Sequence, residues 1–92
     1  MRIRPEETEL IGQWESIGGT IRADASATRI KDLTDAHLTK VAVAESGWET
    51  LYKDPTDLRF WELTYPHSEM HGGGPPMLRC LSAEEAHVKY DF

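Results

Sequence analysis

The sequence predicts an α+β fold, with a small, mostly antiparallel β-sheet and two helices in one domain spanning residues 1–92. Three observations predict this class. Residues 48–65 alternate aromatic and polar side chains around a turn, residues 25–37 have a helical period, and residues 82–85 resemble a helix N-terminus. Residues 1–7, which contain Pro5 and several charges, are expected to be a loosely ordered lead-in.

The first predicted strand covers residues 9–15, with sequence ELIGQWE. In an extended chain, Leu10, Gly12 and Trp14 share one face. Gly18 and Gly19 then interrupt the pattern, and residues 20–22 are expected to form a short returning strand.

Residues 25–37 are predicted to form a helix, because Ala27, Ile30 and Leu33 recur at helical spacing. Asp24 or Ser26 is expected to be the N-cap. His37 falls at the end of this helix, where a cation interacts favourably with the dipole, so a structural role is expected for it.

The segment 38–44 has an ambiguous pattern. Leu38, Val41 and Ala42 fit a continuation of the helix, whereas Val41 and Val43 alternate with small residues as in a strand. The strand is favoured because valine prefers β structure and Gly47 closes the segment in a turn.

Residues 48–65 are predicted to form an aromatic hairpin. The turn lies at residues 54–57, where Asp54 precedes Pro55. On one strand Trp48, Thr50 and Tyr52 share a face. The alternation of the other strand puts Trp61 towards the core and Glu62 towards the surface.

A strand at residues 77–81 and a helix at residues 82–90 complete the prediction. Ser82 and Glu85 have the spacing of a capping box, which starts the helix. Cys80 lies in the middle of the strand and is expected to be a small buried apolar side chain.

Composition excludes several classes of function. The formal net charge is −6, which argues against direct binding of nucleic acid, because phosphate binding requires clustered Lys and Arg. No apolar run is long enough to span a membrane, and the N-terminus has charges where a signal peptide is apolar. A single cysteine fits a reducing compartment, so a cytoplasmic location is expected.

Two segments have the residue types of a chemical site. His67, Glu69 and His71 alternate and would share one face of a strand, as metal ligands would, but no fourth ligand follows. Gly72–Gly74 offer backbone N–H groups, yet the prolines that follow cannot donate hydrogen bonds. A shaped loop with no metal, cofactor or catalysis is therefore favoured, and a small metal-dependent enzyme is the alternative.

The chain resembles the immunity protein 27 family from about residue 5 to residue 90. The resemblance rests on Gly47-Trp48, Leu51-Tyr52, Asp54-Pro55, Arg59, Trp61-Glu62, Tyr65-Pro66, Ser68-Glu69 and the run from His71 to Pro76. Glu9-Leu10, Gly12, Trp14 and Arg29-Ile30 also fit the pattern. Leu58 departs from it, because a glycine is expected after the turn at Asp57.

The resemblance implies a bacterial protein that binds and neutralises the toxin domain encoded beside it, without being an enzyme. A general cytoplasmic interaction module is a further alternative. The glycine-rich loop and nearby acidic residues are expected to form part of the toxin contact. The alternative is that the loop only packs against Trp48 or Trp61. The residues proposed for it are Glu69, His71, Gly72, Gly73, Gly74, Asp54 and Asp57.

Overall fold

The computed structural model describes residues 3–45, 47–66, 74–90 and 92. Within these residues, seven strands form two antiparallel sheets, accompanied by two α-helices and a π-helical turn. The elements are β1 Glu9–Ile11, β2 Trp14–Ile17, β3 Thr20–Ala23, α1 Ala25–Asp32, the π turn Leu33–His37, β4 Thr39–Val43, β5 Thr50–Lys53, β6 Phe60–Thr64, β7 Met77–Leu81 and α2 Ala83–Lys89. The predicted α+β class and its mostly antiparallel sheet are confirmed.

The larger sheet has the strand order β1-β7-β6-β5-β4, and β2 pairs with β3 in a separate hairpin. Tyr52 on β5 lies opposite Trp61 on β6, which lies opposite Cys80 on β7. The strand predicted at residues 77–81 is confirmed with these bounds. The ambiguous segment 38–44 contains strand β4, so the helical continuation is excluded.

Helices pack on both faces of the larger sheet. Side chains of one face contact α1 and the π turn and belong to the first core cluster, which contains Leu10, Ile30, Leu33, Trp61 and Leu78. We call this the α1 face. The opposite face, the α2 face, has a second cluster that contains Leu51, Leu81, Ala86 and Tyr90. The molecule therefore has three layers, with the sheet in the middle.

The strand predicted at residues 9–15 is divided in the structure. β1 joins the larger sheet, whereas β2 joins the hairpin with β3. The break falls at Gly12, whose N–H donates to the carbonyl of Pro76 at 2.9 Å. A Cβ at Gly12 would lie 2.7 Å from that carbonyl oxygen and 2.9 Å from Ala27 Cβ. The chain changes sheets where only glycine allows this approach.

The lead-in predicted at residues 1–7 is anchored over the part that the structure describes. Ile3 is 6% exposed and belongs to the core of the α1 face. The Arg59 guanidinium donates to the carbonyl oxygens of Arg4 at 3.1 Å and Glu7 at 2.6 Å. These bonds satisfy backbone acceptors that the sequence pattern leaves without a sheet partner.

Both helices begin at the predicted caps. Asp24 Oδ1 accepts from the N–H of Ala27 at 2.8 Å, and Ser82 and Glu85 form a reciprocal capping box. The predicted helix 25–37 consists of α1 and the π turn, which closes with a 2.7 Å bond from the N–H of Leu38 to the carbonyl of Leu33.

The aromatic hairpin is formed by β5 and β6, with residues 54–59 as its loop. The turn has a backbone bond of 2.7 Å from the N–H of Leu58 to the carbonyl of Asp54. Leu58 has a φ of 66°, a conformation that glycine adopts most easily. The sequence places Trp48 in the hairpin, but β5 begins at Thr50 and Trp48 is 65% exposed.

Candidate functional site

The residues proposed for partner contact are unevenly placed. Glu69, His71, Gly72 and Gly73 lie outside the described residues, as does His67. The role of Glu69 and the following loop residues in partner contact therefore stays a prediction, and the metal site with His67 stays its alternative. Within the described part of the chain, no group of three His, Cys, Asp or Glu side chains is placed to hold a metal ion. No helix there is long and apolar enough to cross a bilayer.

Asp54 lies inside the protein, with an exposure of 1%. Its Oδ1 accepts from the N–H of Thr56 at 2.8 Å and lies 3.2 Å from His37 Nε2. Asp54 therefore stabilises the hairpin turn and connects it to the π turn. His37 thus contacts the hairpin turn from the end of the helix, which agrees with the structural role expected for it.

Asp57 and Gly74 are the other two described candidates. The side chain of Asp57 is 30% exposed, and its Oδ2 accepts from Arg59 Nε at 2.7 Å. Burial raises the pKa of Asp57. The backbone N–H and guanidinium of Arg59 lower it by a larger amount, so the pKa lies below its usual value. Gly74 is buried and has a φ of 73°.

Glu62 forms the most unusual cluster in the described structure. The alternation of β6 predicts this side chain at the surface, but it is 2% exposed and lies in the middle of the α2 face. Its Oε2 accepts from the Tyr90 hydroxyl at 2.7 Å and lies 2.6 Å from Lys89 Nζ. Arg79, directly opposite on β7, reaches within 3.8 Å of Oε1. The buried carboxylate is thus compensated by hydrogen bonds and charges.

Lys89 also binds Glu49, with 2.8 Å between Nζ and Oε2. Burial lowers the pKa of Lys89, but the bonds to Glu49 and Glu62 outweigh it, so its pKa is raised. Burial and the hydrogen bond to Glu62 raise the pKa of Tyr90 well above its ordinary value. The ammonium and the phenol therefore keep their protons at neutral pH and act as donors to Glu62.

The sequence contains a signal for this cluster that strand alternation alone does not reveal. In the strand Phe60–Thr64, a carboxylate stands between Trp61 and Leu63, in a run that is otherwise apolar. The last turn of the final helix carries a lysine, followed by a tyrosine. A carboxylate in an apolar strand needs partners of these two kinds.

An open cleft of about 640 Å³ lies beside the Glu62 cluster on the α2 face. It is lined by Trp48, Glu49, Glu62, Thr64, Tyr65, Pro66, Met77, Arg79 and Lys89. A second cleft, of about 410 Å³, shares Arg79 and Lys89 with the first and also borders Val88 on α2. The larger cleft contains aromatic residues, Met and Arg, which are enriched in protein interfaces, together with Glu and Lys, which are depleted there.

A third cleft, of about 460 Å³, lies on the α1 face and includes Gly74 in its lining. Its aromatic side chains are Trp14, Tyr52 and Tyr65. Burial is the main cause of a raised pKa at Tyr52, and the nearby Tyr65 and Asp35 raise this pKa further. The phenol of Tyr52 is therefore neutral here and offers a polar contact but no nucleophile.

The side chains of the Glu62 cluster are engaged with one another. Glu62 already accepts from Tyr90 and pairs with Lys89, and both donors hold their protons, so the cluster has no activated nucleophile. Cys80 is partly buried on the other face, and burial raises the pKa of its thiol. A thiol with a raised pKa is poorly reactive.

Comparison with known proteins identifies the family. The model of immunity protein 27 matches residues 16–82, well over half of the chain. Comparison with curated proteins and with solved structures gave no match. The matched region contains α1, the π turn and strands β3 to β7. It includes Glu49, Glu62 and Arg79 of the Glu62 cluster, whereas Lys89 and Tyr90 lie beyond it. The chain belongs to the immunity protein 27 family.

Proposed function

We propose that this protein neutralises a cognate bacterial polymorphic toxin in the cytoplasm of the producing cell by binding the toxin domain directly. The observation that carries the proposal is the family match over residues 16–82. The structure supports a binding role, because the larger open cleft on the α2 face includes Trp48, Tyr65, Met77 and Arg79, which are residue types enriched in protein interfaces.

Inhibition by binding requires affinity from a few well-packed side chains and complementary charge. The chain has a formal net charge of −6, which favours encounter with a basic partner. The loop residues Glu69, His71, Gly72 and Gly73, together with Gly74, Asp54 and Asp57, remain our sequence-based candidates for part of the toxin contact. Of the two described carboxylates among them, Asp57 has a side chain that is 30% exposed, whereas Asp54 is 1% exposed.

Co-expression tests the proposed function. The C-terminal domain of the toxin encoded by the adjacent gene is induced in cells that also carry this chain. We expect growth to be restored by the chain and not by the same plasmid with an early stop codon. A toxin domain inactivated by mutation controls for the burden of expression. Growth arrest that persists when both proteins are present at equal levels would exclude the immunity role.

A further inference from the structure

The α2 face of the sheet is only partly covered by α2. A helix of seven residues is about 10 Å long, whereas five strands span about 20 Å. Ala86 and Tyr90 cover Leu51 and Leu81, near the end of the sheet that carries the hairpin turn. The part of this face over β1, with the Met77 end of β7 beside it, lies outside the helix.

Apolar and charged side chains both occur on this open part. Ile11 on β1 lies opposite Met77 on β7, and strand alternation places both on the α2 face. Ile11 is 49% exposed, and Trp48, beside Met77 in the larger cleft, is 65% exposed. We call Glu9, Ile11, Trp48, Met77, Arg79 and Val88 the open α2-side surface.

Carboxylates outnumber cations in the two clefts and their border taken together. Arg79 lies between two carboxylates in the sheet, Glu9 on β1 and Glu62 on β6. Lys89 is already bound between Glu49 and Glu62. The carboxylates that line or flank the two clefts are Glu9, Glu49, Glu62, Glu84 and Glu85, whereas the cations there are Arg79 and Lys89.

We infer that the open α2-side surface is the docking site for a basic surface of the toxin, on which Lys or Arg side chains surround an apolar side chain that packs against Trp48. The inference rests on the proposed function and specifies where the partner binds and which chemistry it has. Trp48 supplies the anchor, because tryptophan in a cleft is the residue type that most often dominates binding energy. The carboxylates supply orientation and a faster encounter.

Two matched pairs of variants test this surface. Trp48→Ala removes the anchor, and Ile21→Ala removes an equally exposed apolar side chain from the β2–β3 hairpin, which contacts α1. Glu9→Lys reverses a charge on the surface, and Asp32→Lys makes the same change in net charge on α1, behind the opposite face. Circular dichroism and melting temperature confirm that each variant is folded.

The measurement is the Kd of each variant for an inactivated toxin domain encoded by the adjacent gene, together with rescue of growth. We expect Trp48→Ala to weaken binding at least about thirtyfold and Ile21→Ala less than about twofold. We expect Glu9→Lys to slow association about three- to tenfold and Asp32→Lys to leave it near the wild-type rate. Binding should also weaken as salt increases.

The outcomes separate the two proposals. Wild-type rescue with equal Kd values for Trp48→Ala and Ile21→Ala overturns the docking site and leaves the proposed function standing. A wild-type chain that neither binds nor rescues overturns both. Equal effects of Glu9→Lys and Asp32→Lys show that only the overall charge matters, which also contradicts a local acidic site.

Discussion

The hydroxyl of Tyr90 donates a 2.7 Å hydrogen bond to the buried carboxylate of Glu62. This bond connects the residue after the last helix to the middle strand of the larger sheet. Because Glu62 is 2% exposed, water has little access to replace the phenol if it is removed. The packing of α2 on the sheet therefore depends in part on this one hydrogen bond.

Removal of the Tyr90 hydroxyl should therefore destabilise the fold. We expect Tyr90→Phe to lower the free energy of unfolding by about 1–3 kcal/mol, since a hydrogen bond to a buried charged group is lost while the ring remains. Urea denaturation measures the change. Tyr52→Phe is the control, because the Tyr52 hydroxyl makes no hydrogen bond within the described residues, and a change below about 0.5 kcal/mol is expected. Equal effects of the two variants would contradict the role given to this bond.

The ion pair between Glu7 and Arg29 should make stability depend on pH. Glu7 accepts two bonds of 2.7 Å from the Arg29 guanidinium, and these lower its pKa from 4.5 to about 2. A carboxyl whose pKa is lower in the folded state contributes stability above pH 4.5, and this contribution is lost as the pH falls towards 2. The contribution is at most about 3 kcal/mol, and solvent near this surface pair reduces it.

Glu7→Gln isolates that contribution. At pH 7 we expect the variant to be less stable than the wild type by about 1–3 kcal/mol, and at pH 2 we expect the difference to be nearly absent. The measurement is the free energy of unfolding of both proteins in urea at pH values between 2 and 7. A difference that stays constant over this range would show that Glu7 acts through shape and not through its charge.

The hairpin turn contains a leucine where the backbone suits glycine. Leu58 has a φ of 66° and is 62% exposed, so a glycine there relieves strain and loses little packing. We expect Leu58→Gly to raise the free energy of unfolding by up to about 1 kcal/mol. Thr56→Gly in the same turn, where φ is not positive, should lower it by about 0.5–1 kcal/mol. Differential scanning calorimetry of the pair gives the sign of each effect.

Gly12 should tolerate no larger side chain. An added Cβ would meet the backbone carbonyl of Pro76, which holds the N–H of Gly12. We expect Gly12→Ala to destabilise the protein by about 2–3 kcal/mol through overpacking. Gly18→Ala should cost about 1 kcal/mol, because its positive φ is strained but nothing lies within 4 Å of the added carbon. Thermal denaturation of both variants tests the difference, and similar melting temperatures would argue against a close approach at Gly12.

Local patterns predicted the fold where they determine structure by themselves. The capping box at Ser82, the cap at Asp24 and the strand at residues 77–81 all depend on neighbouring residues in the sequence. The family resemblance likewise depends on residues close together in the chain. These are the features that the structure and the comparison confirm.

Local patterns did not predict features that depend on contacts between residues distant in the sequence. The division of residues 9–15 between two sheets follows from the approach of Pro76 to Gly12, which no local rule contains. Alternation placed Glu62 at the surface, because it does not reveal that Lys89 and Tyr90 return over this strand. The sequence pattern places Trp48 in the hairpin strand, yet it lies before β5 and is exposed.

The strand order has a consequence for the sequence of events in folding. Strands β4 to β7 follow one another along the chain, so their pairing closes loops much shorter than the separation between β1 and β7. β1 pairs with β7 from the other end of the chain, which costs far more loop entropy. We expect β1 to dock last and to open first, with amide hydrogens that exchange faster than those of β6. Glu9 and Ile11 would then lie on the least protected strand of the larger sheet. A partner bound at this strand would slow amide hydrogen exchange more than on any other strand of that sheet.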